Sequence, residues 1–344
     1  MAVTDFATRL LEWHRDHGRH DLPWQRTRSP YHTWLSEIML QQTQVSTVIP
    51  YFERFIDRFP DIETLADAPA DDVMHHWAGL GYYSRARNLH KAAQRMAADF
   101  NGCFPERYQD ALSLPGVGPS TAGAILAQSM GQRHAILDGN VKRVLSRYHL
   151  VEGWPGKRDV EKTLWHWAEF HTPGNNLADY TQAIMDLGAT VCKRSSPGCA
   201  VCPVNDDCQA FSQGRVDELP HRKPKKSLPV KQKRLLIISD GERLLLEKRP
   251  PSGIWGGLWS LPELDIDDPV EASLEQNWSL LVTGCEDAPV YRHTFSHFHL
   301  DITPTRVTVA MTDSVMDIGT FSWHDDIAGL GLAAPVRKLL AGAV

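Results

Sequence analysis

Four of the six cysteines fall within seventeen residues, spaced Cys192-x6-Cys199-x2-Cys202-x5-Cys208, with Cys103 and Cys285 far from them. Thiols clustered this way ask for a shared ligand, and in a reducing compartment four neighbouring thiolates hold a metal centre more readily than two disulfides. Zinc accepts four thiolates, usually from two Cys-x2-4-Cys knuckles, but here only Cys199 and Cys202 form a short pair. A 4Fe-4S cluster takes the same four ligands and tolerates uneven spacing, so the spacing favours the cluster and leaves zinc open. Between the first two ligands lie Lys193 and Arg194, two cations that a ligated loop would present to a phosphate.

A second segment offers backbone chemistry. Leu114-Pro115-Gly116-Val117-Gly118-Pro119-Ser120 joins two helical patterns through two glycines and leaves bare amides where the next helix begins. Such amides take an anionic oxygen without a basic side chain. An ordinary glycine-capped connection would read the same way.

Helices must position these segments. Apolar residues at helical spacing run over 5–17, 30–40, 45–59, 84–100, 121–130, 141–150, 159–170 and 178–189, whereas strand patterns are scarce before residue 220. Ser29-Pro30 reads as an N-cap with proline in the first turn. Past residue 220 the pattern becomes short alternating or β-branched runs over 233–239, 243–247, 295–301, 305–311 and 320–323. The expectation is a multidomain chain, all-α first and α+β second.

Composition agrees. A length of 344 residues suits two domains, and 42% hydrophobic with 23% charged residues excludes disordered, fibrous and membrane-embedded classes. The longest uncharged run, 111–132, holds Pro115, Pro119 and four glycines, which rules it out as a membrane span. The first residues show neither a signal nor a transit pattern, so cytoplasmic residence is expected. Net charge is −6, yet from Leu235 onward 7 basic face 16 acidic residues, leaving the preceding part at +3. Seven Lys or Arg and no acid lie between His221 and Arg234, broken by Pro224 and Pro229. This basic, proline-containing stretch marks a linker over 216–233.

The hairpin at 114–118, the segment Leu137-Asp138-Gly139-Asn140-Val141 and the four-cysteine terminus, in that order, resemble the helix-hairpin-helix DNA glycosylases of the endonuclease III superfamily, over residues 1 to about 215. Within that superfamily, Trp34-Leu35-Ser36-Glu37-Ile38-Met39-Leu40-Gln41-Gln42-Thr43-Gln44 and Gly79-Leu80-Gly81-Tyr82-Tyr83 resemble the MutY adenine glycosylases. Residues 234–344 resemble the Nudix-like extension of that family, which reads 8-oxoguanine. The resemblance implies a 4Fe-4S cluster on Cys192, Cys199, Cys202 and Cys208. It also implies a monomer working at the nucleoid on double-stranded DNA that holds adenine opposite 8-oxoguanine or G.

Releasing adenine expels a poor anionic leaving group and builds positive charge on the deoxyribose, so an acid and a stabilising carboxylate are wanted. Glu37, among Trp34, Ile38 and Met39, has the apolar setting that keeps a carboxyl protonated near neutrality. Asp138, flanked by Gly139 and Asn140, has a polar setting expected to keep it ionised beside an oxocarbenium ion. The resemblance assigns the same two roles and adds Asn140 to the catalytic set. Ser120 stands where bifunctional relatives carry a Schiff-base lysine, which makes water the final nucleophile.

The remaining sites also come from the resemblance. Gln42 and Tyr82 match wedge residues, Trp24 and Gln182 pocket positions, and Leu40 and Thr43 flank the wedge. Gly116, Val117 and Gly118 hold phosphate, and Phe295, Ser296 and His297 read the base opposite. Independently of the resemblance, the cations Arg85, Arg87 and Lys91 after the glycine turn offer phosphate contacts or, equally, form a solvated helix face. Gly257 and Glu263 begin something like a Nudix box, but only Glu271 and Glu275 remain of its acidic cluster, so pyrophosphate hydrolysis is not expected. Two alternatives stand beside this reading: an endonuclease III-like glycosylase/lyase, and a non-catalytic, cluster-bearing binder of damaged DNA.

Overall fold

Ser29 caps the helix that follows it, its side chain accepting the His32 amide at 3.1 Å with Pro30 in the first turn. In the structure, a computed structural model describing residues 3–224, 227–250, 253–295, 297–310 and 320–342, that helix is the second of a long α-helical series. The series runs α1 (Val3–His17), α2 (Pro30–Leu40), α3 (Val45–Arg58), α4 (Ile62–Asp67), α5 (Ala70–Trp77), α6 (Ser84–Asp99) and α7 (Tyr108–Ser113). It continues with α8 (Pro119–Met130), α9 (Gly139–Tyr148), α10 (Arg158–His171), α11 (Leu177–Asp186) and the short α12 (Gln209–Ser212). The chain divides into two compact units, Met1–Asp67 with Asn88–Lys225, and Ala68–Arg87 with Lys226–Val344.

In the first unit α2 packs on α8, α8 on α11, and α11 on α1. Helix α2 buries Trp34, Leu35, Ile38 and Met39, each removal from water stabilising by about 1.5–3 kcal/mol, so the one acid of this helix, Glu37, is carried into apolar surroundings. Small residues let α8 approach: a Cβ on Gly123 would come 2.6 Å from the Ala135 carbonyl oxygen. Helix α11 continues into a wide turn, Leu187–Val191, where a Cβ on Gly188 would lie 2.5 Å from that of Asn140. That close approach sets the start of α9 against the turn leading to Cys192.

The second unit is built on a mixed sheet of β1 (Val230–Ser239), β2 (Leu244–Lys248), β3 (Trp259–Ser260), β4 (Glu263–Leu264), β5 (Val282–Asp287), β6 (Tyr291–Thr294), β7 (His299–Val309) and β8 (Phe321–His324). Helix α13 (Val270–Trp278) precedes β5, and α14 (Ala334–Ala341) follows β8. The central path is β3-β2-β1-β7-β5, with β1 and β7 parallel from Val230↔His299 to Ser239↔Thr308. The sequence expects two strands separated at Pro304, but β7 runs through it. Proline has no amide to donate, and Pro304 falls where the outer partner of β7 changes from β6, at Tyr291↔Ile302, to β5, at Asp287↔Thr305. The expected strand beginning at Phe295 is also corrected: β6 ends at Thr294, β7 begins at His299, and between them Phe295 donates its amide to the Phe298 carbonyl at 2.9 Å.

Among the described residues no helix is long and apolar enough to cross a membrane.

Candidate active site

Glu37 and Asp138 come together in the first unit. Burial, followed by the charge of Asp138, pushes the Glu37 carboxyl up to about 7, against a hydrogen bond that lowers it: Gln128 Nε2 donates to Glu37 Oε1 at 3.2 Å. Asp138 is the N-cap of α9, its Oδ1 accepting the Val141 amide at 2.8 Å and its Oδ2 the Asn140 side-chain amide at 3.3 Å. The purely polar setting expected for Asp138 is not what the fold provides. Burial raises its carboxyl above the ordinary range, and the Val141 and Asn140 contacts and the Arg143 charge act in the opposite sense. Ser120 Oγ accepts the amide of Leu137, one residue before Asp138, at 2.9 Å, which ties the hairpin to this carboxylate.

Beside this pair lies a pocket lined by Trp24, Gln25, Thr33, Gln128, Ala178 and Gln182. Trp24 and Gln182, separate in sequence, thus share a pocket with the residue that holds Glu37. Its open interior is about 10 Å³, room for one water at most.

Arg143 links the Asp138 cap of α9 to the cysteine loop. Its Nη2 donates to Asn140 Oδ1 at 2.9 Å and to the Gly188 carbonyl at 2.6 Å, while its Nε donates to the Cys192 carbonyl at 2.6 Å. One turn on, Arg147 is 2% exposed and donates to the Lys193 carbonyl at 2.7 Å and towards the Cys192 sulfur at 3.3 Å. These arginines buttress the loop's backbone, leaving the Lys193 and Arg194 side chains exposed.

All four cysteines of the cluster pattern are free thiols lining one apolar cavity with Val144, Leu187 and Val204. Burial pushes the Cys202 thiol up to about 12 and raises Cys199 and Cys208, and the charges of neighbouring cysteines add to each shift. Among the described residues no three His, Cys, Asp or Glu side chains close around a single ion. Four free thiols lining one apolar cavity are the donor set that a thiophilic, cationic centre takes, and its charge would release their protons.

At the hairpin, Gly116 takes φ +81°, where a side chain would be strained, and Gly118 caps α8 without a side-chain partner for the first-turn amides. Val117 is buried and anchors the turn. Both wedge candidates have left-handed backbones, Gln42 at φ +59° and Tyr82 at φ +48°, and both side chains are exposed. Leu40 ends α2, and its carbonyl accepts the Thr43 amide at 3.2 Å, closing the turn around Gln42.

In the second unit a cleft of about 660 Å³ is lined by Tyr82, Trp255, His293, Phe295, His297 and Phe298, among others. Phe295 stacks on Phe298 with centroids 4.6 Å apart and meets His293 edge-on at 4.5 Å. His297 is exposed, and Ser296 lies outside the described residues. Arg85 and Arg87 correct the sequence reading. Arg85 is 7% exposed and donates to the Leu80 and Gly81 carbonyls, and burial pushes its guanidinium down to about 10. Arg87 donates to the Gly256 carbonyl. Both are spent on shaping the unit, whereas Lys91 is exposed.

Sequence reasoning misses Gln25, Gln128, Arg143 and Asp186. Each is an ordinary polar residue on a helix or turn; Gln128, Arg143 and Asp186 have partners far away in the chain, and Gln25 meets Gln128 and Gln182 only through the pocket they share, so spacing carries no signal of them.

Residues 35–170 match the HhH-GPD superfamily of base excision DNA repair proteins, and residues 234–342 match the NUDIX domain. The adenine DNA glycosylase of Buchnera aphidicola subsp. Acyrthosiphon pisum is 37% identical over 338 residues, covering 97% of this chain and 96% of that protein. The Homo sapiens adenine DNA glycosylase is 32% identical over 360 residues, covering 87% of this chain and 66% of its own. Among solved structures, a thermostable thymine-DNA glycosylase superposes with a TM-score of 0.54 at 27% identity, over 61% of this chain and 97% of that one. Endonuclease III in a non-covalent DNA complex superposes at 0.51 and 21% identity over 61% and 94%, a likeness of fold alone. With the helical glycosylase fold, the Nudix sheet and near full-length identity all in agreement, the chain belongs to the adenine DNA glycosylases, DNA N-glycosylases of base excision repair.

Proposed function

We propose that the enzyme removes adenine opposite 8-oxoguanine, or opposite G, by a monofunctional hydrolytic route. Glu37 protonates N7 of the flipped adenine, the C1′–N9 bond breaks, Asp138 stabilises the oxocarbenium ion, and water adds at C1′. The observation that carries this reading is the pairing of Glu37, pushed up to about 7, with an Asp138 that is capped by Asn140 and Val141 and faces the Arg143 charge. One carboxyl is kept able to donate a proton at neutral pH, while the other is given partners for its charged form.

Ser120 supports the monofunctional route, since its hydroxyl cannot form an imine and is occupied with Leu137. Gln42 and Tyr82, both exposed on strained backbone, fill the stack vacated by the flipped base. Trp24 and Gln182 receive the base, with Leu40 and Thr43 beside the wedge. Gly116, Val117 and Gly118 take a phosphate.

Cys192, Cys199, Cys202 and Cys208 hold a 4Fe-4S cluster, a fit supported by four free thiols on one cavity. When bound, the cluster supplies the metal–thiolate bonds that fix the 192–208 loop.

Residues 1–215 carry excision, 216–233 connect, and 234–344 read the opposite base through Phe295, Ser296 and His297. The enzyme works as a monomer at the nucleoid.

Duplexes holding adenine opposite 8-oxoguanine, or thymine glycol opposite adenine, test the function when incubated with and without alkali. The proposal expects adenine release, with strand cleavage only after alkali. Cleavage of the thymine glycol duplex without alkali would establish the lyase alternative. Binding without release of any base would establish the non-catalytic one.

A further inference from the structure

The amides lining the small pocket beside Glu37 have a fixed polarity. Asp186, at the end of α11, has no exposed surface. Its Oδ1 accepts from Arg19 Nε at 2.8 Å, Arg19 Nη2 at 2.6 Å and Gln182 Nε2 at 2.7 Å, while its Oδ2 accepts the Arg19 backbone amide at 2.7 Å. A carboxylate paired in this way with arginine only accepts, so the NH2 end of Gln182 must face it and the carbonyl end must face away. Among the described residues no donor reaches Gln182 Oε1. Gln25, on the same pocket, has its Oε1 buried without a hydrogen-bond partner. A buried carbonyl left unpaired is costly and marks a place for an incoming donor.

We propose that Asp186, clamped by Arg19, is a positioning residue that holds Gln182 with its carbonyl outward, so that Gln182 and Gln25 offer two acceptors to the two N–H groups of an exocyclic amine at purine C6. The inference rests on the reading that this pocket receives the base. A purine with oxygen at C6 would set acceptor against acceptor and leave all of them unpaired. Sites built to hydrogen-bond one group discriminate strongly against an analogue lacking it. Asp186 touches no base in this scheme and acts through Gln182 alone.

The test is single-turnover excision of adenine and of hypoxanthine, which carries oxygen at C6, each opposite 8-oxoguanine. Three variants are compared, with thermal melting to verify folding. In Asp186→Asn, residue 186 accepts or donates, so Gln182 turns either way. Gln182→Met removes the carbonyl and leaves the Arg19 pair intact. Both variants should narrow the adenine-to-hypoxanthine rate ratio by about tenfold, the scale of one hydrogen bond. If Asp186→Asn does not fold, the Gln182→Met ratio decides. A ratio unchanged within about twofold, with both rates falling together, would make the network merely structural and overturn the inference. Ala178→Phe, which fills the pocket, separates the two levels of the argument. Wild-type excision of both bases by that variant would defeat the pocket reading itself. Blocked excision there, with an unchanged ratio in Gln182→Met, would defeat only the role given to Asp186.

Discussion

Gln128 donates to the carboxylate oxygen of Glu37 at 3.2 Å and thereby opposes the burial and the Asp138 charge that push Glu37 up to about 7. The acid is thus set between opposing influences, each of which a substitution removes. The protonated form prevails below pH 7 and falls about tenfold per pH unit well above it. Single-turnover adenine release should therefore decline on the alkaline side with an apparent pKa near 7. Replacing Gln128 with Leu takes away the lowering hydrogen bond and should move that limb to higher pH. A rate level to pH 9 in the wild type, or an unmoved limb in Gln128→Leu, contradicts this assignment.

The same shift has a consequence for stability. A carboxyl whose folded pKa exceeds its unfolded value favours folding below the unfolded pKa and loses that contribution as pH rises through the folded one. Glu37 therefore weighs against the fold above pH 7, and Glu37→Gln should melt higher than wild type at pH 8, with a smaller difference at pH 5. A rise of about 2–4 °C at pH 8 corresponds to roughly 1 kcal/mol in a domain of this size. Equal melting temperatures at both pH values would mean that Glu37 is solvated.

Much of this site could be read from the sequence because its signals are local. Ser29-Pro30, the glycine hairpin and the Asp138 cap are each complete within a few residues, and the four cysteines lie in one short segment. What the sequence hides is tertiary. Arg143 reads as a solvated residue on α9, yet it spans Asn140, Gly188 and Cys192. Arg85 reads as a phosphate ligand but is buried under its own turn. Strands β5 and β6 leave little mark in the sequence because β5 is exposed along most of its length and β6 is four residues long with no fully buried side chain. Pro304 mimics a break for want of any local sign that its missing N–H falls at a change of partner.

Arg143 should be hard to replace. Its guanidinium serves four acceptors at once, on Gly139, Asn140, Gly188 and Cys192, a reach that a lysine ammonium lacks. Arg143→Lys and Arg143→Ala should both slow adenine release at least tenfold and lower the melting temperature, the first step following from a loosened Asn140 at Asp138. If Arg143→Lys retains the wild-type rate and melting temperature, the link between Asp138 and the cysteine loop has no functional weight.

Ser120 tests the reaction class. With Oγ engaged by the Leu137 amide, the wild type should give little covalent adduct when borohydride is added during turnover. Ser120→Lys brings an amine next to the Asp138 segment and should trap more imine, while losing stability from the missing acceptor. Strong and equal trapping by both proteins would contradict the monofunctional route.

The recognition segment can be tested on its own. Ser296→Ala with His297→Ala should narrow the preference for 8-oxoguanine over G by about 1–3 kcal/mol, the worth of a base-edge contact, while the intrinsic excision rate changes less. Measured affinities and single-turnover rates on the two duplexes decide this, and an unaltered preference removes the segment from the reading of the opposite base.

The central claim is that Glu37 delivers the proton on which bond cleavage depends. Glu37→Gln keeps the size and hydrogen-bonding shape of the side chain without its acidity. The decisive measurement is single-turnover adenine release from a duplex with adenine opposite 8-oxoguanine, alongside the affinity of the same variant for that duplex. The account predicts wild-type affinity with release slowed by at least about 10²-fold, the low end of what general acid catalysis contributes. Near-normal release by Glu37→Gln would contradict it.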